Sequence, residues 1–119
     1  METTDTTVYR DEHLVLDFEQ RTVAVDSEVL TLTYKEYALI AFLVQRSGEI
    51  VPRQVLLSDL WGYGPDIRTR TLDVHIRRLR RKIGAHADRY IETIFGSGYR
   101  FQPFHAPRFD ARWFTERAA

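Results

Sequence analysis

The sequence predicts an α+β domain, with an antiparallel sheet first, three helices next and a β-hairpin last. Three observations carry this expectation. Short runs of alternating apolar residues occupy positions 13–32. Three segments between 33 and 83 have helical periodicity and are separated by glycine or proline. Near the C-terminus the tetrapeptide Phe95-Gly96-Ser97-Gly98 divides two further apolar runs.

Residues 1–12 are Thr-rich, acidic and aperiodic, and read as a flexible acidic lead. His13 to Phe18 alternates as a strand, placing Leu14, Leu16 and Phe18 on one face. Thr22 to Val25 is a second strand, Asp26, Ser27 and Glu28 form a turn, and Val29 to Leu32 is a third strand. Strands so closely spaced imply a meander.

Thr33 and Glu36 make a T-x-x-E capping box, in which each side chain satisfies a free backbone N–H at the helix start. Tyr37, Ile40, Ala41 and Val44 line one face of that helix. Leu39, Phe42 and Leu43 widen the face, so the helix should be buried on most sides. Gly48 fits the residue after its C-cap. Glu49 to Val51 can form a very short strand. Pro52 suits the first turn of a second helix that runs to about Trp61, with Leu56, Leu57 and Leu60 on its apolar side. Residues 62–67, GYGPDI, are a loop.

The third helix, 69–83, is the most informative segment. Leu72, Ile76, Leu79 and Ile83 recur as one narrow apolar stripe. At 100° per residue, Arg70, Val74, Arg77 and Arg81 fall on the opposite side, flanked by Arg78. A helix anchored by one face and presenting arginines on the other suits the DNA major groove, because a guanidinium reads guanine edges bidentately and also pairs with phosphate. Val74 could meet a thymine methyl. Gly84 ends the helix. Tyr90 to Ile94 and Tyr99 to Phe101 are the strands of the hairpin. Residues 103–119 form an aromatic tail with Phe104, Phe109, Trp113 and Phe114, and Asp110 to Arg117 has the spacing for two helical turns. Two helices, a loop, an arginine-rich third helix and a hairpin describe a winged helix-turn-helix. In that arrangement the third helix enters the major groove and the wing, 90–101, rests on the backbone.

Composition agrees with a single small domain. The chain has 119 residues, 44% of them hydrophobic, enough for a real core. It has no cysteine, which excludes disulfides and thiolate metal sites. No apolar run approaches the ~20 residues that span a bilayer, and the N-terminus is unlike a signal peptide. A cytoplasmic protein without membrane association is therefore expected.

The formal net charge is zero, but the charges are segregated. Residues 1–30 hold eight acidic groups against Arg10 and Arg21, a net of −6. The remainder carries 15 basic and nine acidic residues, a net of +6, with seven of the bases between Arg68 and Lys82. Local potential steers a ligand more than total charge does, so the basic helix is compatible with a polyanion and predicts strong salt sensitivity.

The segments LTLTYKEYALIAFLVQRSGEIVPRQVLLSDLWG (30–62), RTLDVHIRRLRRKIG (70–84) and YIETIFGSGYRF (90–101) occur in an order and spacing that resemble the DNA-binding effector domain of OmpR/PhoB-type response regulators. The resemblance runs from Leu14 through Phe101. It implies sequence-specific binding to double-stranded promoter DNA, often as a homodimer arranged head to tail on direct repeats, within a two-component system. It also implies that Arg70, Thr71, Val74, Arg77, Arg78 and Arg80 touch bases or phosphates and that Thr93 lies near phosphate. The helical wheel adds Arg81. The loop from Trp61 to Thr69, in particular Gly62, Tyr63, Gly64, Pro65 and Asp66, matches a segment that can contact RNA polymerase or DNA.

There are two departures from the family pattern. Phe95 stands where family members often carry a basic residue, and an aromatic there can pack or wedge between base steps. The receiver domain that usually accompanies such a domain, roughly 100–150 residues, has no counterpart here, so a fragment and a stand-alone regulator are both compatible with the chain.

Other residues take simpler readings. Asp73, the only acid within the helix, is expected to orient neighbouring arginines. Arg80 lies between the two faces, which favours a phosphate or structural salt-bridge role. His75 is a packing or phosphate-bonding histidine rather than a metal ligand, and Trp61 belongs to the core at the end of the second helix. Glycine turn chemistry accounts for Gly96 and Gly98. No nucleophile–base pair, paired carboxylates or ligand set supports catalysis, a metal or a cofactor. The competing expectation is a winged-helix protein-interaction module that contacts RNA polymerase or another regulator.

Overall fold

The computed structural model describes residues 8–105 and the backbone of residues 108 and 109. In chain order the elements are β1 (Val8–Arg10), β2 (Leu14–Asp17), β3 (Thr22–Val25), β4 (Glu28–Val29), α1 (Tyr34–Gln45), β5 (Ile50–Pro52), α2 (Arg53–Trp61), α3 (Thr71–Ile83), α4 (Ala87–Tyr90), β6 (Ile91–Ile94), β7 (Gly98–Phe101) and β8 (Arg108–Phe109). Backbone packing divides them into two units. One comprises the described residues up to Leu30 together with those from Pro103, and the other is Thr31–Gln102.

The first unit is a five-stranded antiparallel sheet in the order β4-β3-β2-β1-β8. Alternation puts Tyr9, Leu14, Leu16, Val23 and Val25 on its buried side. The β3–β4 turn has two residues, Asp26 and Ser27, both with positive φ, which matches the right-handed twist of the flanking strands. The expected third strand, Val29 to Leu32, is reduced to Glu28–Val29, because this tight turn already pairs Glu28 with Val25. Val8–Arg10, expected within the flexible lead, is instead strand β1 and pairs with both β2 and β8. Asp11 organises the segment after it. Its carboxylate accepts the N–H groups of His13 (3.0 Å), Leu14 (2.9 Å) and Phe104 (3.0 Å), as well as the Tyr9 hydroxyl. From the expected aromatic tail, Phe104 meets the His13 ring edge-on at 4.7 Å and Arg108–Phe109 forms β8. The expected helical turns at 110–117 lie outside the described residues.

The second unit packs α1 against α3, with the three-stranded antiparallel sheet β5-β7-β6. The capping box is present: the Thr33 hydroxyl accepts the Glu36 N–H, and the Glu36 carboxylate accepts the Thr33 N–H. Glu36 is only 2% exposed, and Lys82 of α3 donates to its Oε1 at 2.7 Å. Leu39, Ile40, Leu43 and Val44 are fully buried, as the broad apolar face of α1 predicts. Helix α1 stops at Gln45, so Gly48 (φ +84°) lies beyond the expected cap position. Pro52 ends β5 and is the N-cap of α2, one residue earlier than its expected place inside the helix. Gly62, with φ +72°, caps the other end of α2. Lys35 donates to the Leu60 carbonyl there, close to the Trp61 ring. The short helix α4 has too few residues for periodicity and was not expected; it takes Tyr90 out of the hairpin strand. Tyr90 still stacks on Phe101 at 5.7 Å in the core. No helix among the described residues is long and apolar enough to cross a membrane.

Candidate nucleic-acid interface

Helix α3 begins at Thr71 rather than Thr69, because the Thr69 hydroxyl accepts the Thr71 N–H (3.1 Å) and lies 2.7 Å from the Thr71 hydroxyl. Thr69 therefore satisfies the first free N–H of the helix from one residue outside the N-cap position. Arg70 occupies the N-cap position and is exposed. Leu72, Ile76, Leu79 and Ile83 are all buried, so the apolar stripe is the packed face. Arg77, Arg78 and Arg81 are exposed, and Thr71 and Val74 are half-buried. Among the described residues, no ion pair or hydrogen bond engages the guanidinium groups of Arg77, Arg78 or Arg81.

Arg80 departs from the rest of the expected contact set. It is half-buried, and its guanidinium donates to the Ile91 carbonyl (2.6 and 3.2 Å) and to the Thr93 hydroxyl (2.7 Å). Its position between the faces of α3 aims it at β6. The structure thus joins the two expected contact residues Arg80 and Thr93 to each other.

A second link joins the wing to the start of α3. The Asp73 Oδ1 accepts hydrogen bonds from Arg53 Nη1 (2.5 Å) and the Tyr99 hydroxyl (2.8 Å). Burial pushes the Asp73 carboxyl up, but the donors on Arg53 and Tyr99 outweigh it and hold the group below its ordinary range. Burial and the adjacent carboxylate push the Tyr99 phenol up. Asp73 does orient an arginine, but one from α2 rather than from its own helix. Arg53 and Tyr99 were not among the sequence candidates; the available signal was a single acid in an arginine-rich helix, which calls for a cationic partner elsewhere.

The wing is the hairpin β6–β7. The Ser97 N–H donates to the Ile94 carbonyl (2.9 Å), and Gly96, with φ +79°, allows the turn. Gly98 belongs to β7 rather than to the turn, and its role is close approach: a Cβ there would lie 2.0 Å from the Val51 carbonyl oxygen. Phe95 at the tip is 91% exposed. A groove of about 250 Å³ runs beside it, lined by Arg53, Asp73 and the hairpin from Thr93 to Tyr99.

His75 makes packing and backbone contacts within the domain. Its ring meets Trp61 edge-on at 5.0 Å, and its Nδ1 lies 2.8 Å from the Thr71 carbonyl oxygen. In the 62–67 loop the Tyr63 N–H and carbonyl bond back to Leu57 and Gln54, while Gly62, Gly64, Pro65 and Asp66 are exposed.

Residues 27–101 match the family model described as "Transcriptional regulatory protein, C terminal". The chain is 44% identical over 89 residues to the transcriptional regulatory protein HprR of Escherichia coli, an alignment covering 74% of this chain and 40% of HprR. The chain thus spans about 40% of the length of this relative. Among solved structures, the DNA-binding domain of Klebsiella pneumoniae RstA, in complex with the RstA box, superposes with a TM-score of 0.74 at 30% identity, covering 82% of this chain and 98% of that one. The DNA-binding domain of CpxR from E. coli gives 0.71 at 27% identity, with 84% and 98% covered. A buried apolar stripe, an open arginine face and a wing tied to the same helix are thus found in a chain that belongs to the OmpR/PhoB-type family of winged-helix DNA-binding domains, the C-terminal domains of transcriptional regulatory proteins.

Proposed function

We propose that this chain binds promoter DNA sequence-specifically, with α3 in the major groove and the β6–β7 wing braced on the backbone. The observation that carries the reading is the state of α3. Four buried residues fix the helix, while Arg77, Arg78 and Arg81 face solvent with their guanidiniums unengaged among the described residues. A guanidinium with no internal partner retains its full capacity for bidentate donation to guanine or phosphate. Arg70, Thr71 and Val74 extend the contact surface along the same helix, and Arg80 and Thr93 hold the wing in place beside it. The likeness to the RstA domain, solved on its DNA box, supports this reading. The exposed 62–66 turn is the surface we assign to RNA polymerase, and two protomers on direct repeats are the expected assembly on DNA.

Binding to a labelled random-sequence duplex, measured against salt, tests the proposal. The log–log slope should be steeply negative, at about −0.9 per phosphate neutralised. Replacing Arg77 and Arg78 by alanine should flatten the slope by about 2 and leave stability within about 0.5 kcal/mol. An unchanged slope in the double variant would refute the face assignment. The exposed Phe95 favours one second reading, a module that docks on a protein; an absence of duplex binding at low salt would select it.

A further inference from the structure

We propose that Phe95 is a DNA wedge, an aromatic side chain at the wing tip that inserts at a base step beside the site read by α3 and makes recognition depend on how easily that step unstacks. The proposal rests on the duplex-DNA reading above and assigns a specificity-determining residue within it.

Phe95 is more exposed than any other large apolar side chain among the described residues. It stands at the extremity of a paired two-stranded arm, since Ile94 pairs with Gly98 and the turn is closed by the Ser97-to-Ile94 hydrogen bond. The arm is clamped at three points. Arg80 holds β6 to α3, the Tyr99 hydroxyl holds β7 to Asp73 of α3, and the Arg53 N–H holds the turn through the Ser97 carbonyl (3.3 Å). The ring therefore sits in fixed register with the open arginines of α3, and a contact at the tip is set relative to the bases that the helix meets.

The chemistry around the ring selects the ligand. From Thr93 to Tyr99 the hairpin carries hydroxyls and glycines but no carboxylate, and Arg53 lies in the adjoining groove. Asp73, the one carboxylate lining that groove, is paired with Arg53 and bonded by the Tyr99 hydroxyl, so its charge is offset where a polyanion would approach the tip. Stacked base pairs beneath a phosphate-lined groove offer what the tip lacks, an apolar slot flanked by negative charge. Phenylalanine is among the side chains that unstack and kink duplexes in this way, and pyrimidine–purine steps yield most easily.

The test starts from a duplex of about 30 bp that the wild-type chain selects from a random pool. The selected sequences should carry a TA or CA step at a fixed distance from the α3 site, and the complex should be bent by end-to-end energy transfer. Phe95→Ala should lose about tenfold or more in affinity for that duplex, together with the bend and the step preference. Its low-salt affinity for random duplex should fall less than its affinity for the selected duplex, because phosphate contacts carry non-specific binding. Phe95→Trp should retain the bend. The proposal is overturned if Phe95→Ala binds the selected duplex as the wild type does and bends it equally; the exposed ring then has no part in duplex recognition. If the wild type itself shows no salt-dependent duplex binding, the DNA reading falls and the wedge falls with it. A silent Phe95→Ala in an otherwise competent binder removes the wedge alone.

Discussion

Arg80 separates two roles that a sequence cannot distinguish, and replacing it by alanine has a calculable consequence. If its guanidinium projected toward DNA, the substitution would weaken binding and leave stability within about 0.5 kcal/mol, as for other surface changes. The structure instead gives it two bonds to the Ile91 carbonyl and one to the Thr93 hydroxyl. A hydrogen bond from a charged donor contributes about 1.5–3 kcal/mol, and a stranded buried acceptor costs about 1–3 kcal/mol. These figures describe the same loss from two sides and are not summed, and the half-buried position of Arg80 favours the lower part of the range. The expected destabilisation is therefore about 2 kcal/mol, or a fall in Tm of about 10 °C for a domain of this size. Urea denaturation of Arg80→Ala, Thr93→Val and the double variant measures it. The double-mutant cycle should show coupling of about 1 kcal/mol between the two positions. A stability loss below about 0.5 kcal/mol for Arg80→Ala, or no coupling to Thr93, would refute the latch and return Arg80 to the DNA-contact set.

Two further outcomes follow from other contacts. Burial pushes the Glu36 carboxyl up, but Lys82 and the Thr33 N–H outweigh it, so its folded pKa lies below the ordinary 4.5. A depressed carboxyl pKa contributes stability that is complete above that ordinary value and is lost as pH falls through the folded value. Lys82→Gln should therefore destabilise the protein at pH 7, and the loss should shrink as the pH falls through the folded Glu36 value and the carboxylate is protonated; a loss that stays constant across an acid titration of thermal melts would contradict the pairing. At Gly98 an added Cβ meets backbone, 2.0 Å from the Val51 oxygen and 2.9 Å from the Pro52 Cα, so β5 must separate from β7. Gly98→Ala should cost about 3 kcal/mol. Gly96→Ala meets nothing within 4 Å and should cost only the left-handed strain of about 1–2 kcal/mol. The reverse order in chemical denaturation would show that the turn, not the strand contact, governs the hairpin.

The three longer helices of the second unit are legible in the sequence because of local signals: the Thr33–Glu36 box for α1, the Pro52 start and the glycine-rich loop from Gly62 for α2, and the Leu72-to-Ile83 stripe with Gly84 for α3; α4 is too short to carry one. The exposed arginines are legible for the same reason, since a face follows from periodicity alone. Pairing between distant segments is not legible. Val8–Arg10 and Arg108–Phe109 are too short to alternate detectably, and each becomes a strand because the other, or β2, supplies its partner. Arg80 shows the same limit inside a helix. Its angle on the wheel is intermediate, and only the position of β6 decides whether it serves solvent or the wing. From sequence Gly98 reads as a turn residue, because a second glycine two positions after the first suggests one; the actual constraint comes from Val51, 47 positions away in the chain.

The order of strands in the first unit bears on how the protein is made. Residues 31–102 form one unbroken stretch, whose hairpin and helix contacts can be completed as soon as it leaves the ribosome. The edge strand at 108–109 docks on residues 9–10, so the β1 edge of the sheet lacks this partner until synthesis has passed residue 109. Closing a loop of roughly a hundred residues adds little equilibrium cost, because that cost grows only with the logarithm of length. Its effect is on timing: during translation an open strand edge is available to other chains, and crowded expression should produce more aggregation from chains halted before residue 108 than from chains extended past it.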